Sequence, residues 1–122
     1  MKKLLIVFWL LTLSACTTLP VKPEDEARCG PMPTFTEAQN SVQTYVDGVG
    51  LKDPSSAQVR NIRVVGPTSW YNGLINGGGY SYGWRIVFDL NAKNSFGAYV
   101  GFKTREILRL PDGTVRWRMV ID

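Results

Sequence analysis

A thiol at position 16 directly follows Leu13, Ser14 and Ala15, and the small side chains at 14 and 15 fit the narrow cleft of a peptidase. A thiol placed there can be alkylated with diacylglycerol, and the amine freed by cleavage can then be acylated. If Cys16 is used in this way, Cys29 is an odd thiol with no partner in its own chain. It is then either a sequestered thiol near the tether or the site of an intermolecular disulfide that makes a homodimer. Histidine is absent, which removes the commonest neutral-pH base and metal ligand, and with it Ser-His and Cys-His nucleophile pairs and zinc sites. Asp53, Asp89 and Glu106 are the carboxylates best placed on structured elements. A pair of carboxylates could do glycosidase-type acid–base work, but no spacing here forces two of them together, and each has a simpler role as a cap or a surface charge.

The residues around Cys16 have the order of a targeting segment. Met1-Lys2-Lys3 is a short positive start, and Leu4 to Leu13 is an apolar run interrupted only by Thr12. A helix needs about 20 apolar residues to span a hydrocarbon core, so this shorter run matches the apolar centre of a secretory signal. Leu13-Ser14-Ala15-Cys16 resembles the lipobox of bacterial lipoproteins at all four positions. That resemblance implies a signal peptide over 1–15, lipidation at Cys16, and attachment to the membrane through the acyl chains. By resemblance to enterobacterial lipoprotein sorting, Thr17 in place of Asp implies the outer membrane rather than retention at the inner one, with the domain facing the periplasm.

Removing the signal changes the charge balance. The chain has 14 basic and 10 acidic side chains, a formal charge of +4; without Lys2 and Lys3 the balance is 12 against 10, or +2. That charge is weak support for a nucleic-acid partner and the compartment argues further against one, so none is expected. Residues 16–33 hold Pro20, Pro23, Pro31 and Pro33 and the acidic cluster Glu24-Asp25-Glu26, a composition expected of a stiff, solvated tether. Residues 34–122 are expected to form one small domain.

Within that domain Thr34 to Val49 reads as a helix. Thr34 and Glu37 have capping-box spacing, while Phe35, Ala38, Val42, Tyr45, Val46 and Val49 keep one apolar face. Asp53, as N-cap, and Pro54 predict a second, very short helical start. From Val59 the period becomes two. Strands are expected over Val59 to Val65, broken at Gly66-Pro67, then over Thr68 to Tyr71. A further strand puts Trp84, Ile86, Phe88 and Leu90 on one apolar face. Ala98 to Leu110 is a long strand expected to bend, Pro111-Asp112-Gly113 a turn, and Val115, Trp117, Met119 and Ile121 the inner face of a last strand. The fold class is α+β, with one N-terminal amphipathic helix on an antiparallel sheet of four to five strands.

The stretch from Trp70 to Trp84 mixes Gly, Asn and Ser with Tyr71, Tyr80 and Tyr82. It is either a long hairpin loop with aromatic ends in the core or a recognition surface of rigid rings and small residues. No Lys-Ser/Thr follows its glycines, so it is not a phosphate loop. Arg116 and Arg118 share a face, with Arg109 expected across the hairpin from them, as a small basic patch or a plain solvated face.

Leu51-Lys52-Asp53-Pro54-Ser55-Ser56-Ala57 and Asn91-Ala92-Lys93-Asn94-Ser95-Phe96-Gly97-Ala98-Tyr99-Val100-Gly101-Phe102 carry a second resemblance. Together they are similar to a group of small uncharacterised bacterial and prophage-associated envelope lipoproteins, over roughly residues 40–103. The group shares a DP-S-A turn and an NAKN-S-aromatic-G turn ending in Tyr-x-Gly. Many members carry Cys-Gly shortly before the second turn, where this chain has Val87-Phe88, so no role of that cysteine transfers. The likeness implies no activity. Lys93, Asn94 and Tyr99 are the candidate binding residues of the turn, beside Tyr71, Tyr80 and Tyr82 of the loop.

The sequence thus predicts a membrane-anchored envelope lipoprotein acting as a non-enzymatic protein-interaction or structural module, with an envelope protein as partner and no cofactor or metal. Two alternatives stand beside it: an immunity, exclusion or inhibitor lipoprotein that blocks a phage, toxin or lytic enzyme, and a cell-wall hydrolase or carbohydrate binder.

Overall fold

The computed structural model describes residues 23–118. The expected signal peptide over 1–15, Cys16, the first part of the expected tether, and Met119 and Ile121 of the last expected strand lie outside the described residues. Pro23–Glu26 form one helical turn (α1), followed by a 3₁₀ turn over Ala27–Cys29. Thr34 and Glu37 then close a reciprocal cap over α2 (Phe35–Gly48). The Glu37 amide donates to Thr34 Oγ1 at 3.2 Å and the Thr34 amide to Glu37 Oε1 at 3.1 Å, satisfying two amides that a helix start leaves unpaired. The strands follow as β1 (Gln58–Tyr71), β2 (Tyr80–Asn91), β3 (Lys103–Arg109) and β4 (Val115–Arg116), in the spatial order β1-β2-β3-β4, all pairs antiparallel. One long helix against a four-stranded antiparallel sheet makes the domain α+β.

Period-two alternation places Ile86, Phe88 and Leu90 of β2 on the helix side of the sheet, where Ile107 of β3 joins them against Ala38, Val42, Tyr45 and Val46 of α2. Phe88 lies edge-on to Tyr45 at 5.3 Å between ring centroids, and Tyr45 edge-on to Trp117 at 5.4 Å, the tilted geometry that aromatic quadrupoles prefer. The helix face differs from the expected one at its first turn. Phe35 is exposed and Ser41 is buried. Opposite that turn the sheet presents Arg109, whose guanidinium donates to Glu37 Oε2 at 2.8 Å and to Ser41 Oγ at 3.1 Å. Arg109 therefore belongs to the helix side, not to a basic patch with Arg116 and Arg118.

β1 is continuous through Gly66-Pro67, where a break was expected. The register shifts between Arg60 and Arg63 and between Val64 and Gly66, and Pro67 still pairs with Trp84. Proline is tolerated because β1 is an edge strand here, where a missing N–H breaks no second ladder. At the first shift Asn61 takes φ 56°, a left-handed conformation that asparagine accepts more readily than most residues. Such bulges increase local twist, and the long β1–β2 hairpin coils accordingly. Near its tip, Asn72 Oδ1 accepts from Arg116 at 3.0 Å, and the Trp70 ring lies 4.8 Å beneath the Arg118 guanidinium. The first strand thus meets the segment that follows the last. Val87 and Leu108, on the side of the sheet away from α2, are buried as well.

The expected strand over Ala98 to Leu110 is shortened to Lys103–Arg109. Gly97 and Gly101 take φ of 79° and 100°, and the Gly101 amide donates to Asn91 Oδ1 at 3.0 Å. The segment before β3 is therefore folded back as a loop, with one isolated bridge between Lys93 and Tyr99. Pro111-Asp112-Gly113 is the expected turn, closed by the Leu110 amide on Thr114 O at 2.8 Å. Pro54–Ser56 is the expected short helical start, of 3₁₀ type; Asp53 gives it no side-chain cap, its carboxylate accepting the Ser55 hydroxyl at 2.7 Å instead.

The end of the expected tether docks on the sheet through Cys29 and Pro33, while Arg28, Pro31 and Met32 stay exposed. Cys29 is 1 % exposed and Pro33 is buried. Trp84, which is half-buried and outside the main cluster, donates its indole N–H to Gly30 O at 3.0 Å. The Cys29 thiol faces Thr68 O at 3.6 Å and Asp25 O at 3.8 Å, and burial pushes its pKa up. The sheet extends past the cover that α2 provides, and this segment closes the gap. A disulfide between two copies requires it to undock. Cys29 should react with a maleimide slowly in the native protein and at the rate of an open thiol in denaturant, with only monomer on a non-reducing gel. Fast native labelling or a disulfide dimer would contradict the docked arrangement.

Candidate functional site

The candidate residues separate into two groups at opposite ends of β2. At one end the β1–β2 hairpin tip carries Tyr71 and Tyr80, which pair across the strands with centroids 5.5 Å apart. The Gly-rich connection between them is ordered by its own backbone. A 3₁₀ turn covers Leu74–Asn76, the Asn72 amide donates to Gly79 O at 2.9 Å, and the Gly78 amide donates to Gly73 O at 2.9 Å. Gly77, Gly78 and Gly79 all take positive φ, a run that few other residues could follow. This turn turns Leu74 and Ile75 outward, 85 % and 101 % exposed. Tyr82 lies deeper, with the Arg28 guanidinium 5.2 Å over its ring. Sequence reasoning selected the tyrosines and passed over Leu74 and Ile75, because the conspicuous signal was the glycines around them.

At the other end the two motifs of the envelope-lipoprotein likeness meet. Tyr99 donates its hydroxyl to Ser56 O at 2.8 Å, and Lys93 Nζ sits 5.4 Å from the Tyr99 ring. Asn94 serves the turn itself: its Oδ1 accepts from the amides of Phe96 at 2.9 Å and Ala98 at 3.2 Å. This is the local side-chain closure that asparagine supplies. The buried Asn91 holds the base of the loop through Gln58 and Gly101. Beside the turn lies a cavity of about 310 Å³. Tyr45, Leu90 and Val100 form apolar parts of its wall, and Lys93, Lys103, Arg105 and Arg118 supply positive charge; none of the described residues lining it is acidic. Phe96, in the same loop, is 94 % exposed. Lys103 and Arg105 escaped the sequence reading, although period two from Ile107 puts both on the helix side of β3.

The carboxylates are dispersed or engaged. Asp53 lies by the short 3₁₀ turn, its pKa lowered chiefly by the Ser55 hydroxyl. Asp89 accepts from Asn61 Nδ2 at 2.8 Å and Thr104 Oγ1 at 3.1 Å, and the Asn61 bond chiefly lowers its pKa. Glu106, diagonal to Asp89 across β2 and β3, is held by Arg85 Nε at 2.6 Å. Among the described residues no group of three His, Cys, Asp or Glu side chains could hold a metal ion, and no helix is long and apolar enough to cross a membrane. No protein-family model, curated protein or solved structure matches the chain. The lipobox and the two-turn likeness therefore rest on their own residues.

Proposed function

We propose that the chain is a lipid-anchored envelope protein that works by contact rather than catalysis. Cys16 is its anchor in the outer membrane, residues 16–33 are its tether, and the domain over 34–122, with α2 as its first long element, faces the periplasm. The surface offered to an envelope protein is the end built from the two motif turns. The observation that carries this reading is the nearly fully exposed Phe96 on the loop whose Lys93, Asn94 and Val100 line the cavity. A protruding ring near a hollow with apolar and basic walls is the form of an interaction hot spot, where one large side chain is desolvated by the partner and one partner side chain fills the hollow. Against acid–base chemistry stands the state of the carboxylates: a general acid at neutral pH needs a raised pKa, whereas Asp53 and Asp89 are lowered.

A photo-crosslinking amino acid in place of Phe96, introduced into the full chain in its own cells, tests the contact surface. Discrete adducts are expected from position 96, and they should be lost on adding Val100→Asp, which places a charge at the cavity wall. Absence of adducts from position 96, or the same adducts from the distant exposed position Thr114, would overturn the assignment.

A further inference from the structure

The hairpin tip at the opposite end of β2 has a different character. No charged residue occurs between Arg63 and Arg85, and Leu74 and Ile75 project fully from the turn with Tyr71 and Tyr80 behind them. Aliphatic side chains at a protruding tip backed by a pair of tyrosines match the order of a bilayer interface: apolar groups reach the acyl boundary, and rings with a polar end sit at headgroup level. The chain also leaves the domain on this side. Arg28 stacks on Tyr82, two residues from the tip pair, and Cys29 lies against Thr68. Six residues lie between Cys16 and Pro23, where the first helical turn begins, so at about 3.3–3.6 Å per extended residue the leash reaches roughly 25 Å at most. An anchor on that leash keeps the tip side of the domain close to the leaflet that holds it.

We infer that the Leu74–Ile75 tip inserts into the surface of the bilayer in which the protein is anchored. The tip acts as a second, shallow foot that orients the domain and points the Phe96 end away from the membrane. The inference rests on the lipid-anchor reading; it identifies the occupant of the tip as lipid.

The test uses the full, acylated protein with Ile75→Cys carrying a polarity-sensitive fluorophore, in vesicles of phosphatidylethanolamine and phosphatidylglycerol. Phe96→Cys, labelled in the same way, is the comparison site, and the unsubstituted protein controls for labelling of Cys29. Acyl content and vesicle flotation are measured on the same samples. Blue-shifted emission and quenching by lipid-borne nitroxides are expected at position 75 and not at position 96, and adding Leu74→Asp should abolish both signals. A vesicle-bound, acylated protein whose position-75 probe stays water-like would overturn the inference while leaving the anchor intact. A probe shielded only in native membranes would overturn it in favour of a protein occupant. A chain without acyl groups would overturn the anchor reading, and the inference with it.

Discussion

Phe88→Ala is expected to lower the free energy of unfolding by about 3–5 kcal/mol, the range for deleting a fully buried aromatic ring. Phe88 has no exposed surface, and its ring lies against Tyr45, which in turn lies against Trp117. Truncation therefore removes the contact on which α2, β2 and the segment after β4 converge. The neighbours are β-strand and helix side chains fixed by their own elements, so collapse into the void is limited. Set against the roughly 5–15 kcal/mol typical of a folded domain, such a loss leaves little margin. Urea unfolding followed by tryptophan fluorescence measures it. Phe96→Ala is the counterpart: with its ring in solvent, that change should fall within about 0.5 kcal/mol. Equal effects at the two positions would refute the assignment of core and surface.

Gly83→Ala is the second large effect, and it works by addition rather than removal. A β-carbon built on Gly83 would run into the Arg109 carbonyl oxygen and press on Leu108 Cδ1. The obstacle is the backbone of β3, so no rotamer change relieves it. Overpacking a filled site costs about 1–3 kcal/mol and occasionally more, and a backbone clash belongs at the top of that range. The end of β3 carries Arg109, whose bonds to Glu37 and Ser41 tie the sheet to the first turn of α2. Displacing it should loosen both. The expected result is a shift in the urea midpoint with faster amide exchange in β3, whereas Gly50→Ala, where a β-carbon meets nothing within 4 Å, loses only what its φ of 87° requires. An unchanged midpoint for Gly83→Ala would show that β2 and β3 do not approach as closely as described.

These two positions also show what could be read from the residues alone. The helix was legible because its signals are local: Thr34 and Glu37 stand three apart, and the apolar positions repeat within four. Ile86, Phe88 and Leu90 were legible for the same reason, at period two. Gly83 carried no such signal, since its constraint comes from a strand 26 positions away in the chain. Arg109 was misplaced because its partner Glu37 is 72 residues distant, and nothing near Arg109 announces an ion pair with a helix start. The continuity of β1 was hidden by Gly66-Pro67, which breaks a central strand but not an edge strand. The docked end of the tether was hidden by composition: four prolines and three adjacent acidic residues describe a solvated spacer, yet Trp84 and Thr68 offer it a place on the sheet. The candidate site divided in the same way. Lys93, Asn94 and Tyr99 fall in one turn and were found together, whereas the cavity beside them draws on α2, β2, β3 and the loop.

Under the proposed reading the two ends of the domain do different work. The hairpin end lies beside the departing tether and shows uncharged, projecting side chains; the motif end holds the cavity and Phe96. Both assignments depend on the proposed anchor at Cys16, which would turn a small α+β domain into an oriented one. Labelling growing cells with an alkyne-bearing palmitate analogue and separating membrane from soluble fractions measures that anchor directly. The account predicts a labelled, membrane-bound protein that Cys16→Ala leaves unlabelled and uncleaved at the lipobox; a Cys16→Ala protein that still carries label and is processed as before would contradict it.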